Sequence, residues 1–197
     1  MKSKFSNRFL AYLIDIIIVA LVFLCLNSFM PKNHNISVLE NEITDLRSSY
    51  LKKEIDTKVY FNRYAIIRKN LDQQYIPSNI LNVIIILCYF VLVPYYWDGK
   101  TIGKKIFKLK IVKSEPNEKV SLNNYLVRSI INNGVLCFLI SMSTVFLFDD
   151  SKYLLITIIC GILQFLLVII SSFMIIYRHD KKGVHDLVSG TQVIKEG

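Results

Sequence analysis

Four apolar blocks dominate this chain, at residues 9–30, 79–96, 129–148 and 153–177. A helix rises about 1.5 Å per residue, so about 20 residues cross a hydrocarbon layer ~30 Å thick. The first and last blocks exceed that length, and the second and third just reach it. With 53% of 197 residues hydrophobic and gathered into blocks, the pattern is unlike that of a soluble domain. The expected fold class is an all-α membrane protein with four transmembrane helices, organised as a single membrane domain over 1–197. The first block follows Lys2, Lys4 and Arg8, as a secretory leader would. It outruns the ~7–15-residue core of a leader, and no small-x-small cleavage site follows, so it reads as a retained span.

Four spans leave both termini on one side, and lysine and arginine indicate which. The N-terminus, segment 97–128 and the tail from Arg178 hold 15 of these bases; 31–78 and 149–152 hold nine. Acids sharpen the contrast, because 97–128 has three against eight bases and 31–78 has six against eight. The expectation is a multi-pass protein of the plasma membrane with both termini cytoplasmic.

Two segments outside the spans carry structure of their own. In the 48-residue stretch 31–78, Ile36, Leu39, Ile43, Leu46 and Tyr50 recur at helical spacing. Ile55, Val59, Tyr64, Ile67 and Leu71 continue the pattern on a shifted phase. This predicts an extracytoplasmic insertion of one or two amphipathic helices, which either pack together or lie on headgroups, or else present a surface to a partner. Segment 104–112 alternates Phe107, Leu109 and Ile111 with Lys108 and Lys110, which is the period of a strand. Segment 190–195 is the comparable piece, so the two are expected to form a small cytoplasmic β pair.

Within the first span stands Asp15, seven residues after Arg8. A carboxylate there costs on the order of 3 kcal/mol on insertion scales and marks a site by default. The two residues share a helix face, but about 10 Å of rise separates them, and the arginine can reach the headgroups by snorkelling. Asp15 therefore needs a proton or a partner from elsewhere. Arg128, at the start of the third span, and His185-Asp186 in the tail are the residues considered. Asn132 and Asn133 could support such a polar site, and with Gly134 they could loosen the third helix. Asp15 is read as a packing anchor or as part of an ion or proton pathway.

Other chemistries find no residues. The four cysteines all lie in apolar blocks without metal spacing, and no metal or cofactor site is expected. DGKTIGKK at 98–105 has its glycines one residue too close for a nucleotide-binding loop. Following Tyr95, Tyr96 and Trp97, it reads instead as an interfacial turn whose Lys100, Lys104 and Lys105 contact anionic lipid headgroups. No nucleophile has an adjacent base, so an enzyme is not expected. The +9 net charge belongs to the membrane surface and does not indicate nucleic-acid binding.

Together these residues resemble the RDD family of bacterial membrane proteins, named for one arginine and two aspartates. Arg8 and Asp15 in NRFLAYLIDIII match the arginine and the aspartate of its first helix, and Asp186 in KKGVHDLVSGTQVI matches the second aspartate. DGKTIGKKIFKLKIV and LVRSI, with Arg128, resemble the stretches after its second span and opening its third. Cation/proton antiport has been suggested for some members. For this chain, an intramembrane carboxylate that could exchange a proton for a cation points to a small transporter using Asp15, which with so few spans would be a homo-oligomer or part of a membrane complex. The alternative is a non-transporting scaffold or accessory subunit whose outer loop docks a partner.

Overall fold

The computed structural model describes residues 3–31, 34–115 and 118–196. Residues 32 and 33, which open the insertion expected at 31–78, lie outside the described residues, as does Lys2. The chain is mostly helical: α1 (Phe5–Asn27), α2 (His34–Leu51), α3 (Thr57–Gln74), α4 (Ile76–Leu87), α5 (Val93–Tyr96), α6 (Ile102–Ile106), α7 (Leu122–Asn132), α8 (Val135–Leu147), α9 (Asp150–Tyr177) and α10 (Val184–Val188). Two strands, β1 (Leu109–Lys113) and β2 (Thr191–Lys195), are present among the described residues.

Among the described residues, three helices are long and apolar enough to cross a membrane: α1, the continuous run Ile76–Tyr96, and α9. Their outward faces carry leucine, isoleucine and phenylalanine, as hydrocarbon permits. The run Ile76–Tyr96 contains a π-helical turn at Cys88–Leu92. Pro94 explains it, because a proline ring collides with the carbonyl four residues earlier, and a widened turn relieves the clash.

The block expected as a third straight span is instead broken. Helices α7 and α8 meet at a 68° bend, and only together are they long enough to cross. The cause is Asn133-Gly134: Asn133 ends α7, and Gly134 takes a left-handed φ of 67°. Side chains occupy the freed backbone, with Gln164 Nε2 donating to the Ile131 carbonyl at 3.3 Å.

The contacts divide the chain into two units, 1–28 with 81–136 and 164–197, and 29–80 with 137–163. In the first unit, β1 and β2 pair antiparallel with Ile111 opposite Val193. Leu109, Ile111 and Val193 join Ala11, Val91 and Tyr125 in one buried cluster. The β pair is therefore present but shorter than 104–112, because Thr101 caps a helical turn through Ile106 and the extended chain begins at Leu109.

In the second unit, α2 and α3 pack together as a helical hairpin, as the two apolar stripes in 31–78 imply. Leu46, Ala65 and Leu71 are buried, and the Tyr50 and Tyr60 rings stack at 4.5 Å. Asp72 binds Arg68 and accepts the buried Tyr153 hydroxyl at 2.8 Å, while Lys69 pairs with Asp150 at 3.0 Å.

Candidate functional site

The first unit contains two polar clusters. One surrounds Asp15, which is 0% exposed at the centre of the buried stripe Ala11, Asp15, Val19 on α1. Its Oδ1 accepts the Tyr89 hydroxyl at 2.7 Å and the Gly103 amide at 2.8 Å. Its Oδ2 accepts the Thr101 hydroxyl at 2.6 Å, with the Lys104 ammonium at 3.6 Å. Short helix α6 lies directly on α1, and the approach requires Gly103. A Cβ there would stand 2.1 Å from the Ala11 carbonyl oxygen and 2.8 Å from Asp15 Oδ1. The same turn is closed by Thr101, whose hydroxyl accepts the Lys104 amide at 3.4 Å.

The second cluster is an ionic clasp on Asp186, also 0% exposed. Arg8 Nη1 donates to its Oδ2 at 3.0 Å, and Arg128 Nη1 donates to its Oδ1. Arg8 also donates to the Val193 carbonyl at 2.9 Å and the Ser3 hydroxyl at 2.5 Å, and Arg128 to Thr191 at 3.0 Å. The carboxylate further accepts the Gly183 amide at 3.1 Å, holding the start of α10. One aspartate thus joins α1, α7, α10 and β2. Burial raises its pKa, but Arg128, His185 and Arg8 outweigh that and hold it down at about 2.

His185 faces Ser171, with Nδ1 3.0 Å from the hydroxyl, and its Nε2 lies 3.7 Å from Asp186 Oδ1. Burial first, then the Arg128 charge, lowers its pKa to about 3, so at neutral pH it is an uncharged hydrogen-bonding ring. Lys104 is likewise lowered to about 8 by burial, against the opposing pull of Asp15. Asn133 receives the Tyr12 hydroxyl at 3.0 Å and donates to Ser129 at 3.0 Å, while Asn132 donates to Asn133 at 3.3 Å. Arg8, Lys104, Arg128, His185, Asn132 and Asn133 all border one cavity of about 180 Å³.

These positions correct three expectations. Neither Arg128 nor His185-Asp186 neutralises Asp15. They assemble with Arg8 near the first turns of α1, while the rise to Asp15 leaves it to the loop after the second span. Arg8 does not snorkel to the headgroups, because its side chain is 9% exposed and turned onto Asp186. Lys104 does not lie out along the membrane surface, since its ammonium points inward to Asp15 and Thr101. Of the other two lysines, Lys100 pairs with Glu196 at 2.6 Å, and Lys105 lies over the Trp97 ring at 5.6 Å. Thr101, Gly103 and Tyr89 were missed as ligands of Asp15. Thr101, a capping residue two positions before a glycine, was the local signal for the first two.

The sequence model of the RDD family matches residues 2–190. Over 110 residues the chain is 29% identical to "Uncharacterized protein YckC" of Bacillus subtilis (strain 168), a match covering 56% of each protein. The chain thus spans little more than half the length of this curated relative. No solved structure matches it. With the arginine and both aspartates lodged in the two buried clusters, and the family match running nearly end to end, the chain belongs to the RDD family.

Proposed function

We propose that this protein is a non-transporting membrane scaffold or accessory subunit, seated in the plasma membrane with both termini cytoplasmic. The observation that carries the reading is the closure of Asp15, with no exposed surface and three hydrogen-bond donors on its two oxygens. A carboxylate that exchanges ions needs an open face, whereas one that pins α6 and the π turn to α1 needs full occupancy. The clasp on Asp186 supports the same reading by tying both chain ends and α7 into one unit. In this reading the α2–α3 hairpin supplies the surface for a membrane partner. The protein needs no cofactor or metal and performs no catalysis.

One observation favours the second reading, cation/proton exchange by a homo-oligomer. Lys104 borders both Asp15 and the cavity, so its ammonium could open and close a route to the carboxylate. Proteoliposomes distinguish the two. Purified protein should show no Na⁺-, K⁺- or H⁺-coupled flux above protein-free vesicles, and Asp15→Asn should lower abundance and melting temperature. A cation-driven proton flux that a folded Asp15→Asn protein loses would overturn the scaffold. Deleting 36–75 should release a crosslinked membrane partner while leaving the clasp folded; retention of that partner would remove the hairpin's assigned role.

A further inference from the structure

The cavity beside the clasp has a composition that neither cluster explains. Three cations, Arg8, Lys104 and Arg128, approach it from the protein side, and the two carboxylates they serve are Asp15 and Asp186. His185 is neutral there. Three positive charges against two negative ones leave one unmatched. Arg8 uses Nε, Nη1 and Nη2 on Ser3, Asp186 and Val193. Arg128 uses only Nη1, so its Nε and Nη2 have no partner among the described residues. Lys104 has Thr101 and Asp15 as its partners, which leaves a third N–H.

The rest of the wall mixes polar side chains, among them Asn132, Asn133, Ser129 and Ser171, with apolar ones. Phe9 is 52% exposed and Val168 45% exposed, and both sit on the membrane-crossing helices α1 and α9. The cavity therefore opens sideways toward hydrocarbon. Arg8 lies in the first turns of α1, the depth at which lipid headgroups begin, Arg128 joins it on Asp186, and Lys104 lies deeper, against Asp15. A lipid at that mouth would present its acyl chain to Phe9 and Val168 and its phosphate to Arg128 and Lys104.

We infer that this cavity binds the headgroup of an anionic phospholipid, a phosphodiester carrying a single negative charge and an uncharged alcohol, with the phosphate between Arg128 and Lys104 and the first acyl methylenes against Phe9 and Val168. The charge balance selects it. A monoanion neutralises the surplus cation, and a zwitterionic headgroup would bring a second positive charge into the same space. About 180 Å³ accommodates the headgroup and the start of a chain rather than a whole lipid. The inference is independent of the scaffold reading, since a transporter could hold the same lipid.

The test is lipid retention by the full chain in nanodiscs of equal phosphatidylglycerol and phosphatidylcholine, extracted into mild detergent and read by native mass spectrometry. The expected result is one retained phosphatidylglycerol, enriched about tenfold over phosphatidylcholine. Lys104→Gln should abolish the enrichment. Val168→Trp, which fills the mouth and touches neither cluster, should abolish it too with the melting temperature unchanged. Equal retention of both lipids, or retention of phosphatidylglycerol by the folded Val168→Trp protein, overturns the site. So does a melting temperature raised as much by inorganic phosphate as by phosphatidylglycerol, because the occupant would then be a free anion.

Discussion

Gly103→Ala separates local propensity from tertiary packing, because the two predict opposite signs. Gly103 is inside helix α6, where alanine is intrinsically better by roughly 0.5–1 kcal/mol. The added methyl, however, would sit 2.1 Å from the Ala11 carbonyl oxygen, a backbone atom that cannot swing aside. Overpacking of this kind costs about 1–3 kcal/mol. Moving α6 away also lengthens the Gly103 N–H bond to Asp15, and a hydrogen bond to a charged group contributes about 1.5–3 kcal/mol. The sum is a loss of about 1.5–5.5 kcal/mol, or roughly 3–22 °C in melting temperature for a chain of this length. Thermal unfolding in detergent measures it. Gly161→Ala in α9 is the control, since nothing lies within 4 Å of its added methyl, and it should melt at or slightly above the wild type. If Gly103→Ala melts within about 2 °C of the wild type, the close approach of α6 to α1 is wrong.

Asp186→Asn leaves two nearly buried guanidinium groups without their carboxylate and should destabilise by about 3–5 kcal/mol, seen as a lower melting temperature and lower abundance. The pH profile has a sign fixed by His185: its folded pKa of about 3 lies below the ordinary 6.5, so the unfolded chain binds the extra proton. Stability should therefore rise from about pH 3 to 6.5, with Asp186 adding in the same direction below about 4, and His185→Asn should flatten the upper part of that rise in a pH series of melts. Tyr153→Phe removes the hydroxyl held by Asp72 and should cost about 1–2 kcal/mol, measurable as faster proteolysis of the α2–α3 hairpin. Gly134→Ala places a side chain at a φ of 67°, with its methyl 3.3 Å from Gln164, and should lower stability by about 1–3 kcal/mol in the same melts.

Which features could be read in advance follows from the range of the forces that make them. The spans, the hairpin and the β pair are written in hydrophobic period and length, which are local properties of consecutive residues. Even the break in the third block is local, because Asn133-Gly134 carries its own backbone preference. The start of the strand differs from the expected 104–112, since the alternation runs only from Phe107 to Ile111 while Thr101 caps a turn through Ile106. Arg8, Asp15, Arg128 and Asp186 were recognisable as a polar set from their positions relative to the spans. Their pairing was not, because nothing in a linear pattern says which carboxylate meets which base.

The sequence by itself determined that this chain enters a membrane, how many apolar segments it offers, and that a carboxylate inside the first of them needs partners. Only the tertiary structure decided who those partners are. Asp15 is met by residues 74, 86 and 88 positions away, and Asp186 by arginines 178 and 58 positions away. Those meetings depend on helix packing, on the π turn that follows from Pro94, and on a glycine small enough to let α6 reach α1. The physical reason is distance: a hydrogen bond acts over about 3 Å, so its choice of partner is made only after the helices have found their places.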